Sequence, residues 1–116
     1  MTIRYKNQGF KQADTNLNTV LTCPADATLI VKSVYCSNND ASSGILVNAS
    51  IVDSSDSNTE YEFFRDDVAA KTQINASPQG INLEAGDSIK IQAATGSNKI
   101  QGAISYAQID RSQENG

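Results

Sequence analysis

Ile81-Asn82-Leu83-Glu84-Ala85-Gly86-Asp87-Ser88-Ile89-Lys90-Ile91-Gln92-Ala93 decides the fold class of this chain. Apolar and polar residues alternate on both sides of Glu84-Ala85-Gly86-Asp87. A period of two is what a strand with one dry and one wet face requires. Gly86 sits where the chain reverses, and glycine reaches positive φ without a Cβ clash.

The same pattern recurs outward from that turn. Toward the C-terminus, Gly96-Ser97-Asn98 reads as a hairpin loop. A last strand follows over residues 99–109, with Ile100, Gly102, Ile104 and Tyr106 toward the core. Toward the N-terminus, residues 72–75 form a brief strand and Ser77-Pro78-Gln79-Gly80 a turn. Residues 59–65 read as a strand carrying Tyr61, Phe63 and Phe64. A helical reading from Glu62 to Lys71 is too short to stand alone. Pro24 cannot donate to a ladder and ends a strand at 19–23. Short strands spaced about every 8–12 residues, with turn chemistry between them, are the signature of a sandwich.

The strongest strand covers residues 28–37. Ile30, Lys32, Val34 and Cys36 share one face, and Leu29, Val31, Ser33 and Tyr35 the other. Both faces carry large apolar groups, whereas an ordinary antiparallel strand has one wet face. The next strand, residues 45–53, puts Ile45, Val47, Ala49 and Ile51 on one side and Leu46 and Val52 on the other. Two dry faces imply that something covers the second side, either the sandwich itself or a neighbouring subunit, and burying one extra face contributes several kcal/mol at about 25 cal/mol per Å², partly offset by ordering costs.

The totals narrow the function. A chain of 116 residues is one domain. The apolar fraction of 39% is low, which suits an all-β domain with many polar turns. The expected layout is an all-β, antiparallel, jelly-roll-like β-sandwich over residues 14–110. An N-terminal arm or edge strand precedes it at 1–13, and a flexible tail follows at 111–116. The net charge is −4, and the nine basic residues are scattered singly. That argues against a phosphate-backbone partner. No apolar h-region follows Met1, and no run is long enough to span a membrane. A soluble cytoplasmic product with no membrane partner is expected.

Histidine is absent. That removes the commonest general base, the Ser–His and Cys–His pairs and most zinc sites. Glu60 with Glu62, Asp66 with Asp67, and Glu84 with Asp87 are the carboxylate pairs. A glycosidase sets such a pair across a cleft lined with aromatic platforms, and this chain has no tryptophan and 6% aromatic residues. Asp53, Asp56 and Glu60 are a weak calcium candidate without EF-hand spacing. Cys23 and Cys36 read as small buried hydrophobes, with a bridge left open. Asn48-Ala49-Ser50 and Asn75-Ala76-Ser77 match the glycosylation triplet, a chance match where no secretory signal is seen. Neither a cofactor nor catalysis is expected.

Four segments carry a resemblance. They are Cys23-Pro24-Ala25-Asp26, Ile30-Val31-Lys32-Ser33-Val34, the run from Leu83 to Ala93, and Ser105-Tyr106-Ala107-Gln108-Ile109. Together they resemble a family of small tailed-bacteriophage virion proteins. Asp26 departs from that family's usual glycine, a change a turn tolerates. The resemblance implies a β-sandwich capsid decoration (cement) protein located in the virion. It also implies a homo-oligomer, commonly a trimer, with capsid or tail proteins as partners and no catalytic residues. The alternative is a tail-fibre module that binds a receptor or glycan. The expected interface residues are Ile3, Tyr5, Phe10, Leu29, Val31, Tyr35, Leu46 and Val52.

Overall fold

The computed structural model describes residues 2–111. Nine strands run in order: β1 (Thr2–Lys11), β2 (Asn18–Thr22), β3 (Ala27–Asn38), β4 (Ile45–Asp53), β5 (Thr59–Val68), β6 (Gln73–Asn75), β7 (Ile81–Leu83), β8 (Ser88–Ala93) and β9 (Ile100–Asp110). They form two antiparallel sheets. One is ordered β1-β9-β3-β6, with β7 also pairing β3, and the other β2-β8-β4-β5. With β6 and β7 taken as one interrupted strand, the chain switches sheets at every connection but the β4–β5 hairpin, in the interleaved order of a jelly roll.

That order corrects two local readings. Gly96-Ser97-Asn98 is not a hairpin loop, because β8 and β9 lie in different sheets. The turn at Glu84–Asp87 likewise carries the chain from β7 in one sheet to β8 in the other. Asp87 N–H donates to Glu84 O at 3.0 Å, and Gly86 has φ +86°. The buried Asp87 carboxylate accepts from Glu84 N at 3.0 Å and from Ser54 N at 2.9 Å. The Ser54 hydroxyl lies 2.9 Å from the same carboxylate and 3.0 Å from Ala85 O. Asp87 O accepts from Cys23 N at 2.8 Å, and Gly86 N donates to Cys23 O at 3.0 Å. Three connections, β2–β3, β4–β5 and β7–β8, are thus tied at one corner by one side chain and its backbone.

The two dry faces expected of residues 28–37 do not exist. Val31 pairs with Tyr106 and Ser33 with Ser105, leaving Lys32 as an extra residue in β3. This β-bulge shifts the alternation by one. Leu29 and Val31 point inward before it, and Val34 and Cys36 after it. All four belong to one core with Val47, Ala49, Ile89, Ile91, Ile100 and Ile104. A second bulge places Phe63 between the partners of Ala49 and Ser50, so that Phe63 and Phe64 both pack against the core. Val52 is buried but stands outside the core cluster.

The first residues form an edge strand, not a free arm. β1 pairs with β9 over its whole length, from Thr2 with Asp110 to Lys11 with Gln101. Phe10 lies over Gly102, where an added Cβ would stand 1.8 Å from Tyr35 O and 2.6 Å from the Phe10 ring. The aromatic ring covers the backbone that the missing side chain leaves bare. The expected tail falls, apart from Arg111, outside the described residues. Arg111 N–H donates to Asp26 O at 2.8 Å.

Two stability outcomes follow. Deleting Lys32 is expected to abolish cooperative urea unfolding, because it turns Val34 and Cys36 outward or Leu29 and Val31 outward. Lys32→Ala should cost less than about 1 kcal/mol. Asp87→Ala, which orphans the Ser54 and Glu84 amides, should lower the urea-derived stability by about 2–3 kcal/mol.

Candidate interaction face

The outer surface of the β1-β9-β3 sheet carries a row of large side chains that the core does not use. Ile3 pairs across with Ile109, and Tyr5 with Ala107, which faces Ile30 on its other side. Tyr5 is 76% exposed, Ile3 51%, Tyr35 46% and Ile30 40%. Small residues of β9, Ala103, Ser105 and Ala107, lie between β1 and β3 on this surface. The bulge explains the row. It sends both halves of β3's aliphatic set inward and leaves Ile30, Lys32 and Tyr35 outside. Lys32 Nζ lies 4.5 Å from the centroid of the Tyr5 ring, a cation–π contact that spans β9.

Charge divides between the sheets. Strands β1, β3 and β9 carry Arg4, Lys6, Lys11 and Lys32 against Asp110 alone, and β6 and β7 carry none. Asp110 is hydrogen-bonded by Gln108 at 2.8 Å and paired with Arg4 at 2.8 Å, and both hold its pKa below the usual carboxylate value. The other sheet carries Asp53, Glu60, Glu62, Asp66 and Asp67 against Arg65 and Lys90.

The expected interface residues separate into two groups. Ile3, Tyr5 and Tyr35 stand on the outer face just described, and Leu46 is exposed on the other sheet. Leu29 and Val31 are core residues and touch no solvent of consequence, which corrects their assignment. Phe10 packs against the core, and Val52 is buried. Ile30 and Lys32 were missed. A lysine inside an apolar run, followed by a switch of the apolar parity, was the available signal.

The calcium candidates do not converge. Asp53 Oδ1 accepts from Ser55 N at 3.0 Å, Asp56 accepts from the Tyr61 hydroxyl, and Glu60 pairs with Lys90 at 3.1 Å. Among the described residues no three His, Cys, Asp or Glu side chains gather where they could hold a metal. One member of each of two carboxylate pairs is likewise occupied: Glu62 accepts from Arg65 with both oxygens, at 3.0 and 2.8 Å, and Asp87 ties the corner, while Asp66 and Asp67 stand exposed on β5. A depression of about 520 Å³ is lined by Ser37, Asn38, Asn39, Lys71, Thr72 and Gln73, none of them a carboxylate, thiol or imidazole. No helix among the described residues is long and apolar enough to cross a membrane.

Cys23 and Cys36 are both free and buried. Burial raises the Cys23 pKa and pushes that of Cys36 up to about 12. Neither thiol is a nucleophile at neutral pH.

No protein-family model matches the chain, and no curated protein matches it. Solved structures resemble it in fold. One, of Bacillus endospore appendages described as a novel family of disulfide-linked pili, aligns at TM-score 0.49 and 12% identity. The alignment covers 92% of this chain and 86% of that one. Another, of infectious bursal disease virus Gx strain, aligns at TM-score 0.47 and 12% identity over 91% of this chain and 31% of that one. At such identity a likeness describes architecture and transfers no function.

The Cys36 thiol gives a pH test. Its pKa is raised in the fold, so the folded state keeps a proton that the unfolded state loses above the ordinary value of 9.0. Its contribution is complete below pH 9 and is lost as pH rises toward 12, at up to about 1.4 kcal/mol per pH unit. Urea titrations from pH 8 to 11 should show the decline, and Cys36→Ala should flatten it. Iodoacetamide at pH 8 should label Cys36 only after unfolding.

Proposed function

We propose that this chain is a non-catalytic structural protein of a bacteriophage virion, a capsid decoration protein that docks through the outer face of its β1-β9-β3 sheet. The observation that carries the reading is that face: Ile3, Tyr5 and Ile30 exposed in one row, with Lys32 over Tyr5, on a chain whose net charge is −4. Contiguous exposed apolar residues on a small soluble domain mark an interaction surface. Tyrosine is favoured there because it brings large contact area with few rotamers to freeze. The four segments that resemble tailed-phage virion proteins lend the location. Two of them supply Ile30, Lys32 and Ala107 to the face itself.

Decoration needs copies that hold each other as well as the particle. A homo-oligomer, with the trimer as its closed form, fits a domain whose two long edge strands are unpaired on their outer sides. Among the described residues, the depression lined by Ser37, Asn38, Asn39, Lys71, Thr72 and Gln73 carries no aromatic ring to favour the alternative of a receptor-binding tip.

Mass-spectrometric inventory of purified particles is the direct test. The wild-type chain is expected in the particle at many copies. Ile3→Ser/Tyr5→Ser/Ile30→Ser is expected to fold, judged by circular dichroism, and to be missing from the particle. Recovery of the wild-type chain only as free protein, or full retention of the triple variant, would overturn the reading.

A further inference from the structure

We infer that copies of this chain join head to tail, with the β1 edge of one against the β5 edge of the next. The inference rests on the self-association part of the proposed function and says which surfaces perform it.

Each sheet ends in one ten-residue strand, Thr2–Lys11 in the first and Thr59–Val68 in the second. Within the described residues β1 pairs only with β9, and β5 only with β4. From Ile3 to Lys11 and along β5, each therefore presents an outer row of backbone N–H and C=O groups that no described strand uses, with side chains of the same strand reaching Gly9 O (Gln8) and Asp67 N (Asp66), a template for another strand. The two edges lie on opposite sides of the sandwich. β1 and β2 together line one open groove through Lys6, Gln8, Thr19 and Thr22, while β5 ends the second sheet away from β2.

Their charges are opposite. β1 carries Arg4, Lys6 and Lys11 with no carboxylate. β5 carries Glu60, Glu62, Asp66 and Asp67 against Arg65. Among the described residues Lys11, Asp66 and Asp67 have no ion-pair partner within 4.0 Å. Arg4, Glu60 and Glu62 have partners on the same chain, but at exposed sites, where such pairs are worth little and exchange readily.

Like charges along a strand repel a second copy of that strand, so β1 against β1 and β5 against β5 are both opposed. Only the mixed pairing combines opposite signs with matched length. Such a contact is heterologous: it closes into a ring where the rotation between copies allows, a trimer included, and otherwise runs on as a chain. The outer face with Tyr5 and Ile30 stays free for the particle.

Charge reversal of the full-length chain, read by sedimentation velocity, tests this. Lys6→Glu/Lys11→Glu and Asp66→Lys/Asp67→Lys each leave one sign on both edges of a molecule. Each alone should weaken self-association at least about tenfold. One chain carrying all four changes should restore it, and an equimolar mixture should assemble into alternating chains or even-numbered rings, because an odd ring would keep one like-charged joint. Raising salt from about 50 to 500 mM should weaken the wild type and the mixture alike.

Wild-type oligomers that neither reversal affects would overturn the edge pairing and leave self-association standing. Reversed variants that assemble individually, or a mixture that stays dissociated, would overturn the pairing as well. A wild-type chain found solely at 12.4 kDa at millimolar concentration would overturn both.

Discussion

Strand parity is the constraint on which this structure depends. Every residue added to or taken from a strand exchanges its wet and dry faces. β3 is the central strand of its sheet for most of its length, with β9 on one side and β6 and β7 on the other. Its buried apolar residues occupy odd positions through Val31 and even positions from Val34. One extra residue, Lys32, reconciles the two halves, and the core stays continuous from Leu29 to Cys36. The same insertion determines what the protein shows to its surroundings. It places Lys32 where its ammonium reaches Tyr5 and leaves Ile30 and Tyr35 on the outside.

The jelly-roll order sets the remaining exposed surface. Apart from the β4–β5 hairpin, the connections between its long strands cross between the sheets, so turns hold the ends of the sandwich. At one end the Asp87 carboxylate and backbone hold three connections together. A buried carboxylate there is stabilised by the amides it accepts from. The same order leaves β1 and β5, the two longest outer strands, on opposite flanks with opposite charge. Natural proteins put charge on sheet edges to prevent uncontrolled pairing. Opposite signs on two matched edges prevent the homotypic contacts and spare the heterotypic one.

Much of the fold was legible in the sequence because strand length and turn chemistry are local. Ile45–Asp53 could be bounded to the residue, and Pro24, Gly80 and Gly86 mark real turns. Sheet membership was not legible. β1 finds β9 more than ninety residues away, and nothing near Thr2 specifies that partner. The bulge at Phe63 was equally hidden, while the one at Lys32 left a signal that went unread, a lysine inside an apolar run where the parity switches. Missing it turned one dry face into two and sent Leu29 and Val31 to a surface they never reach. Ile3 and Tyr5 were expected at the surface because an apolar group in a short polar segment has few places to go, and Tyr35 only because it was put on one face with Leu29 and Val31. Ile30 was missed because its face was counted as core. The opposed edges needed the topology before the charges had positions.

What this molecule offers is surface. Asp87 is engaged in a turn and Glu60 in a surface ion pair, and its thiols are buried and protonated. It carries no imidazole. Its distinctive assets are an apolar face that carries Lys32 over Tyr5 and a pair of oppositely charged strand edges. Hydrogen exchange of the backbone, followed as protein concentration is raised, examines those edges one amide at a time. Edge-to-edge assembly predicts that amides of β1 and β5 slow together as concentration rises, while those of β2 and β6 do not change. Exchange in β1 and β5 that is independent of concentration, over a range in which the sedimenting mass increases, would contradict it.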